Sequence, residues 1–344
     1  MSKLAVVLFN LGGPDSPNAV RPFLFNLFND PAIIGAPGPL RWLLAHLIST
    51  RRAPVARRIY AEIGGRSPLL GLTRDQADAL QARLAAFGEV RVFVAMRYWH
   101  PMADETAVEV KAFDPQTIVL LPLYPQFSTT TTGSSLADWR RAAGRAGIDA
   151  PTKTVCCYPV QDGLMAAQAK LVRSGLEKAR PAGTPRVLFS AHGLPERIIE
   201  KGDPYRWQVE QTAQAVVHKV GIADLDWGVC YQSRVGPLRW IGPSTIDELK
   251  RAGTDRVPVV VVPIAFVSEH SETLVELDIE YKALADAAGV PAYVRVPAVG
   301  TDEDFIDGLA QEVKAADENP QPMAWGRDGE CCPPAFAGCP LSKV

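Results

Sequence analysis

Two segments of the chain place titratable side chains directly after apolar runs. Residues 188–195 read LFSAHGLP and deliver His192, while residues 263–274 read PIAFVSEHSETL and deliver Glu269 and Glu272. Ligands of open α/β sheets bind at the carboxyl ends of parallel strands, so these side chains are candidates for one site. A histidine facing carboxylates, without a nucleophilic serine or thiolate nearby, favours proton transfer or handling of a divalent metal.

His192 is the first candidate for catalysis. Gly193 and Pro195 follow it and predict a turn that projects the imidazole from the edge of the sheet. An imidazole with an ordinary pKa of ~6.5 can take up and release protons at neutral pH. The alternative is a purely structural histidine, which is the more common role for an isolated one.

Four glutamates are spaced by three, four and four residues. They are Glu269, Glu272, Glu276 and Glu280. This spacing predicts one face of a helix, about 16 Å long at ~1.5 Å per residue. Since no Lys or Arg occurs between Glu269 and Lys282, we expect the negative charges of these glutamates to be unbalanced. A solvated helix face is one interpretation; together with His270, a route for a divalent metal is the other.

Three further segments supply hydrogen-bond donors and aromatic rings to the same sheet edges. Residues 124–135 read YPQFSTTTTGSS, residues 97–99 read RYW, and residues 231–240 read YQSRVGPLRW. The hydroxyl-rich loop lacks the lysine and the spacing of a phosphate-binding P-loop. We therefore expect these donors, Ser128 and Thr129 among them, to face a flat, apolar ligand that bears carboxylates.

Length and composition indicate a soluble protein with two domains. The chain has 344 residues and a formal net charge of −2, and it contains no basic run typical of nucleic-acid binding. The first apolar run is too short for a signal peptide, and the longest one, residues 257–267, falls below the ~20 residues of a membrane span. We expect a cytoplasmic protein, at most peripheral to the inner face of the membrane.

The elements that must position these residues alternate between strands and helices. Strands are predicted at residues 4–11, 90–95, 117–123, 153–158, 186–191, 225–230, 256–264 and 292–296. Helices are predicted at residues 73–87, 164–179, 204–220 and 272–288. This order predicts an α/β protein with two Rossmann-like domains, each a four-stranded parallel sheet flanked by helices, and an active-site cleft between them. The predicted domains are residues 1–160 and 161–314, followed by an extension at 315–344.

Residues 31–48 are apolar and interrupted by Pro and Gly. Trp42, Leu43 and Leu47 recur at helical spacing. One interpretation is a core helix. The other is an exposed apolar lip that admits a hydrophobic substrate or touches a membrane.

The cysteines are clustered as metal ligands are in cytosolic proteins. Cys156 and Cys157 are adjacent, and Cys331, Cys332 and Cys339 lie in the last 14 residues, after the helical periodicity has ended. A loose tail with free thiols is the alternative.

The motifs of this chain, taken together, resemble those of the ferrochelatase family, which inserts ferrous iron into a porphyrin late in haem biosynthesis. The matching segments are residues 6–14 (VVLFNLGGP), 63–68 (IGGRSP), 96–98 (MRY), 121–126 (LPLYPQ), 132–135 (TGSS), 189–195 (FSAHGLP), 231–233 (YQS) and 266–281. The resemblance runs from residue 6 to about residue 310. It implies a lyase with two Rossmann-type domains and porphyrin bound in the cleft.

The resemblance also implies roles for individual residues. His192 and Glu272 correspond to the family's catalytic pair, and with Glu276 they would handle the substrate iron. Pocket positions correspond to Leu11, Tyr60, Arg97, Tyr98 and Trp240. We expect His192 to accept pyrrole protons on one face of the porphyrin while Glu272 handles charge on the other.

Some members of the family hold a [2Fe–2S] cluster with cysteines of a C-terminal extension and one internal cysteine. In this chain Cys331, Cys332 and Cys339 would supply three ligands, and Cys156 or Cys157 the fourth. If both lay on a strand, only one would face the cluster. The spacing of the tail cysteines departs from the animal pattern, and Thr129 stands where the animal enzymes place the internal ligand.

The remaining alternatives differ in chemistry. A cobalt or nickel chelatase for another tetrapyrrole would need a more polar pocket, and a non-catalytic haem or metal carrier would show no turnover. A nucleotide-dependent oxidoreductase is excluded because no G-x-G-x-x-G follows the first strand. Protoporphyrin IX and coproporphyrin III both remain open as substrates, as do a monomer and a homodimer.

Overall fold

The structure is a computed structural model that describes residues 3–234, 236, 238–324 and 332–341. The chain divides into two compact units. The first comprises Met1–Cys157 and Ala310–Glu330, and the second comprises Tyr158–Leu309 and Cys331–Val344. The predicted division at residue 160 lies close to the first of these boundaries. The C-terminal part differs from the prediction, because the described residues 310–324 belong to the first unit.

The described residues form two parallel sheets. The strands are β1 (Lys3–Asn10), β2 (Glu89–Met96), β3 (Thr117–Pro122), β4 (Thr152–Val155), β5 (Arg186–His192), β6 (Trp227–Gln232), β7 (Val259–Pro263), β8 (Tyr293–Arg295) and β9 (Met323–Ala324). The order is β2-β1-β3-β4-β9 in the first unit and β6-β5-β7-β8 in the second. All eight predicted strands are confirmed. The two-residue β9 adds a fifth strand to the first sheet, which the prediction of four strands missed.

Helices cover both sheets. They are α1 (Val20–Phe28), α2 (Gly38–Ala61), α3 (Leu69–Leu84), α4 (Ala103–Phe113), α5 (Thr132–Ala146), α6 (Asp162–Ala179), α7 (Glu196–Glu200), α8 (Tyr205–Val220), α9 (Thr245–Asp255), a π-helix (Glu272–Tyr281), α10 (Lys282–Ala288) and α11 (Glu303–Glu318). Short 3₁₀ turns follow α3 and α6. The α/β fold predicted from the alternating pattern is therefore confirmed.

The central strands are buried along their whole length, as expected for parallel strands covered on both faces. β1 is buried from Leu4 to Asn10, and all five residues of β7 are buried. Parallel pairing of β5 with β6 and β7 brings the carboxyl ends of these strands to one edge, where His192 lies opposite Gln232. This edge positions the candidate catalytic residue.

The segment predicted as one α-helix at 272–288 begins as a π-helix. Glu272–Tyr281 has π geometry, and α geometry starts only at Lys282. The i→i+5 hydrogen bonds of a π-helix are rare and are frequently found at functional sites. Leu277 and Tyr281 in this segment are buried, whereas Leu274 is half-buried.

The apolar segment at 31–48 is a surface feature. α2 buries small or polar side chains such as Ala45 and Ser49 against the first unit. Its large apolar residues point outward: Trp42 is 53% exposed and Leu43 58%. The core-helix interpretation is therefore wrong, and these side chains form an exposed apolar surface instead. No helix in the described part of the chain is long and apolar enough to span a membrane.

Candidate functional site

His192 and Glu272 form a hydrogen-bonded pair at the carboxyl end of β5. The Nδ1 atom of His192 lies 2.8 Å from Oε2 of Glu272, which begins the π-helix. The imidazole keeps 38% of its side-chain surface exposed. The sequence analysis correctly predicted that both residues follow strand ends, but it also predicted that they act on opposite faces of a porphyrin. This assignment is wrong, because two groups in direct contact cannot lie on opposite faces of a macrocycle.

The pair shifts the pKa values of both residues. Burial by itself would lower the pKa of His192, but the charge and hydrogen bond of Glu272 outweigh it and raise the pKa. Burial by itself would raise the pKa of Glu272, but His192 above all lowers it to about 2. Glu272 is therefore ionised at neutral pH, and the His192 nitrogen facing it carries the proton.

Ser233 joins Glu272 to the next carboxylate of the series. Its hydroxyl donates to Oε2 of Glu276 and also lies 3.1 Å from Oε2 of Glu272. The backbone N–H of Ser233 and the hydroxyl of Tyr281 both donate to Oε1 of Glu276, at 2.9 and 2.7 Å. Burial, and then repulsion by Glu272, raises the pKa of Glu276. An ionised carboxylate, Glu272, therefore lies next to Glu276, whose carboxyl group holds its proton more readily than an ordinary glutamate does.

The other two glutamates of the series do not continue this arrangement as predicted. Glu269 precedes the helix and accepts from Nη1 of Arg295 at 2.5 Å and from the N–H of Ala298 at 2.9 Å. Arg295 also binds Asp278. The expectation of unbalanced charge is wrong for Glu269, because an arginine of β8, distant in sequence, pairs with it. Glu280 is exposed to solvent.

His270 lies beside the pair as a buried, neutral group. Burial lowers its pKa. Its ring packs edge-on against Phe266, with centroids 4.4 Å apart, and its Nδ1 accepts from the N–H of Thr273 at 3.3 Å. These contacts favour a structural role for His270 at the start of the π-helix.

Trp240 packs over the turn that follows His192. It pairs with Pro195 through an isolated bridge. A side chain on Gly193 would come within 2.9 Å of the Gln232 carbonyl oxygen and 3.4 Å of the Trp240 ring, so only glycine allows this close approach. The predicted pocket residue thus lies next to the His192 turn.

The first unit organises a second set of site residues around a buried carboxylate that the sequence did not reveal. Asp30 accepts from Nη2 of Arg97 at 2.9 Å, from the Tyr98 hydroxyl at 2.7 Å and from the Ser134 hydroxyl. Burial, and then the charge of Asp30, raises the pKa of Tyr98 well above its usual value, so the phenol stays a donor. The only signal for Asp30 was its place before Pro31, which is also typical of an ordinary turn.

Leu11, Tyr60 and Tyr98 belong to one apolar cluster. Tyr60 and Tyr98 are buried, and half-buried Leu11 packs against them. The Arg97 guanidinium lies 4.9 Å from the centre of the Tyr98 ring. The structure thus brings together four of the predicted pocket residues in this unit.

The hydroxyls of the loop after β3 are largely engaged within the protein. Ser128 is buried and shares a hydrogen bond of 2.8 Å with Thr130. Ser134 binds Asp30, and Thr129 is exposed. The expectation that this loop aims its donors at a ligand therefore does not hold for Ser128, which faces the interior.

Four of the candidate cluster cysteines lie in the described part of the chain, and all four are buried: Cys156, Cys157, Cys332 and Cys339. Cys331 lies outside the described residues. β4 ends at Val155, so Cys156 and Cys157 follow the strand, and the predicted alternation of their side chains does not apply. Among the described residues, no group of three His, Cys, Asp or Glu side chains is arranged to hold a metal.

Comparison with known proteins identifies related sequences along almost the whole chain. The family model described as Ferrochelatase matches residues 3–317. A ferrochelatase of Caulobacter vibrioides (strain NA1000 / CB15N) is 59% identical over 315 residues, which is 91% of this chain and 90% of that protein. A ferrochelatase of Phenylobacterium zucineum is 56% identical over 340 residues, or 98% and 97%.

Solved structures support the fold independently. SirB from Bacillus subtilis with Fe³⁺ aligns with a TM-score of 0.53 at 12% identity, covering 93% of this chain and 97% of SirB. DR2241 from Deinococcus radiodurans, a multi-domain protein with structural similarity to chelatases, aligns with a TM-score of 0.50 at 14% identity, covering 93% of this chain and 56% of that one. At such identities the likeness shows a shared chelatase-like fold.

Proposed function

The chain belongs to the ferrochelatase family, and we propose that it inserts ferrous iron into a porphyrin with His192 as proton acceptor and Glu272 as its charged partner. The observation that carries this assignment is the pair itself, with Nδ1 of His192 and Oε2 of Glu272 2.8 Å apart at the end of β5. Ferrous iron and the porphyrin are the substrates, and metalloporphyrin and two protons are the products.

The reaction exchanges one Fe²⁺ for the two N–H protons in the centre of the macrocycle. Because Nδ1 of His192 is engaged with Glu272, Nε2 is the ring nitrogen that can accept a pyrrole proton. The raised pKa makes His192 a stronger base, and Glu272 stabilises the imidazolium that forms. Binding energy from the rest of the ring can offset bending of the macrocycle, which exposes the pyrrole lone pairs.

Glu272 and Glu276 supply the oxygen ligands for the arriving iron. Carboxylates and imidazole are suitable ligands for divalent iron. The Ser233 hydroxyl holds the two carboxylates together, and the raised pKa of Glu276 lets it exchange a proton as charge passes the site. We propose that His192, Glu272 and Glu276 contact the substrate metal only transiently, because these side chains are not arranged to hold a metal together.

In the first unit, half-buried Leu11 and Arg97 and exposed Thr129 are proposed to contact the porphyrin, while the buried Tyr60 and Tyr98 are proposed to support this surface from within. Trp240 of the second unit is proposed as a further contact. A flat apolar ring suits Leu11 and Trp240, and Arg97 suits a carboxylate. Asp30 holds the Arg97 guanidinium and the Tyr98 phenol in place. Ser128 is omitted because its side chain is buried and bound to Thr130.

Anaerobic incubation with Fe²⁺ and either protoporphyrin IX or coproporphyrin III tests this function. We expect the free-porphyrin absorption bands to convert to those of the iron porphyrin with at least one of the two substrates. Parallel reactions with Co²⁺ and Ni²⁺ distinguish the alternative chelatases. Tight porphyrin binding without conversion by any metal would instead indicate a carrier and contradict the proposal.

A [2Fe–2S] cluster bound by Cys331, Cys332, Cys339 and one of Cys156 and Cys157 is a second proposal. In its support, Cys332 and Cys339 are buried, and Nε2 of Gln208 donates to the Cys332 sulfur at 3.1 Å. Hydrogen bonds to sulfur are one means by which proteins tune iron–sulfur potentials. In the described part of the chain no three of these thiols are grouped to hold a metal, so the proposal requires Cys331 and a rearrangement of the described cysteines around the cluster.

Protein purified without oxygen should be red-brown, contain acid-labile sulfide, and give an electron paramagnetic resonance signal after reduction. Cys339→Ser should lose the colour and the signal, because three ligands hold a cluster poorly. Cys230→Ser is the matched control, since burial raises the pKa of the Cys230 thiol to about 12 and Thr245 already binds its sulfur. Colourless protein without iron or sulfide would rule out the cluster.

We also propose that the protein binds peripherally to an anionic membrane surface through the exposed face of α2. Leu40, Trp42, Leu43 and Leu47 are exposed there. The helix carries five arginines and no acidic residue, which suits anionic headgroups. Such binding would place the apolar surface of α2 against the bilayer, so that a hydrophobic porphyrin could pass from the bilayer to the protein.

Co-sedimentation with vesicles containing phosphatidylglycerol tests the membrane contact. We expect wild-type protein to sediment with these vesicles at low salt, and Leu43→Glu to remain in solution. Val108→Glu is the control, because Val108 on α4 is equally apolar and 63% exposed. Equal binding by Leu43→Glu and wild type would contradict the proposal.

A further inference from the structure

Residues 332–341, the C-terminal segment, pack against the chain on both sides of Tyr205. Before Tyr205, the N–H of Gly338 donates to the carbonyl oxygen of Gly202 at 3.0 Å. After it, the Phe336 and Trp207 rings lie 5.6 Å apart, and Gln208 donates to the sulfur of Cys332. The C-terminal segment therefore holds the start of α8, although it is more than a hundred residues away in sequence.

Two glycines make this contact possible. A Cβ atom on Gly338 would lie 2.9 Å from the carbonyl oxygen of Gly202, and one on Gly202 would lie 2.8 Å from the N–H of Ala337. Gly202 also has a φ of +86°, which disfavours any other residue. The backbones meet too closely to tolerate a side chain at either position.

Tyr205 connects this contact with the catalytic histidine. Its hydroxyl donates to the backbone carbonyl oxygen of His192 at 3.1 Å, and its own N–H donates to Asp203 at 3.0 Å. The ring is buried, and burial raises the pKa of Tyr205 well above its usual value, so the hydroxyl remains a donor. His192 is thus held at two points, its ring by Glu272 and its backbone by Tyr205.

We propose that Tyr205 is a positioning residue for His192 and that the C-terminal segment keeps it in place. The contacts that carry this inference are those of Gly338 with Gly202, of Phe336 with Trp207, and of Tyr205 with His192. The inference rests on the proposed role of His192 as proton acceptor. It does not require a metal cluster in the C-terminal segment, since every contact it uses is a direct one between side chains or backbones.

Two variants in the full-length protein test the two links. Tyr205→Phe keeps the ring and removes the hydroxyl, and we expect kcat to fall about five- to tenfold, the worth of one hydrogen bond, with the KM for porphyrin unchanged. Gly338→Ala should lower kcat in the same way. Both substitutions are expected to act by weakening the hydrogen bond from Tyr205 to the His192 carbonyl oxygen. The kcat of the double variant should therefore be no lower than that of the more impaired single variant.

Hydrogen–deuterium exchange gives a second readout that does not depend on activity. Gly338→Ala should speed exchange in peptides covering residues 201–208 and 188–195, while Tyr205→Phe should do so at 188–195. Gly228→Ala is the control, since a Cβ there meets nothing within 4 Å. Unchanged exchange at 188–195 in both variants would overturn the inference. Absence of iron insertion by wild-type protein would overturn the proposed function instead, and exchange would still decide the inference.

Discussion

Replacing His192 with alanine is expected to reduce kcat for iron insertion about 100- to 10,000-fold, the usual contribution of a positioned acid–base group. The variant loses the only nitrogen base assigned to accept pyrrole protons. Porphyrin affinity should change little, because the proposed contacts of the macrocycle are with residues other than His192. Steady-state kinetics for kcat, together with quenching of protein fluorescence for porphyrin binding, measures the two effects separately.

His218→Ala is the matched control for this variant. His218 is exposed in the last turn of α8, far along that helix from Tyr205, and its loss should leave kcat unchanged. If His192→Ala retained wild-type turnover, another group would have to accept the protons. If it lost porphyrin binding and turnover together, His192 would belong to the binding surface and not to the chemical step.

Replacing Glu272 with glutamine should lower kcat and move the acidic limb of the pH–rate profile to lower pH. His192 must be neutral to accept a proton, so activity rises with pH through its pKa. In the wild-type protein Glu272 raises this pKa above the ordinary ~6.5. Glutamine removes the charge but leaves the burial, which lowers the pKa of a histidine. The limb should therefore lie at lower pH in Glu272→Gln than in the wild type.

The profile of kcat/KM against pH, measured between pH 5 and 9, tests this expectation. Glu280→Gln serves as the comparison, because Glu280 lies on the same π-helix but is exposed to solvent. Its profile should coincide with that of the wild type. A Glu272→Gln limb that stays in place, or moves to higher pH, would show that the carboxylate does not set the basicity of His192.

The parts of the fold that follow from local pattern were predictable. Apolar runs such as residues 186–191 and 256–264 show where buried strands lie. The polar residues that follow these runs mark the strand ends, where His192 and the segment that leads into the π-helix are located. Parallel pairing then brings these ends to one edge. The candidate pair was accessible from sequence for this reason, but the contact between Nδ1 of His192 and Glu272 was not, because it depends on the register of the strands and on the helix type.

The helix type and the partners of the site residues could not be predicted, because they depend on contacts between residues distant in sequence. A spacing of four residues between Glu272 and Glu276 fits both α and π geometry, so the sequence alone could not separate them. Arg295, which neutralises Glu269, lies 26 residues further along the chain. Asp30 is 67 residues from Arg97. Likewise, the apolar pattern of α2 cannot reveal whether a partner surface covers it, and the structure leaves Trp42 exposed.

The central claim is that His192 takes protons from the porphyrin as iron enters. A single-turnover experiment tests it most directly: porphyrin bound to excess protein is mixed anaerobically with Fe²⁺, and the visible bands are followed in time. We predict full conversion by the wild type and bound but unconverted porphyrin in His192→Ala on the same timescale. Equal rates of conversion in the two proteins would contradict the claim.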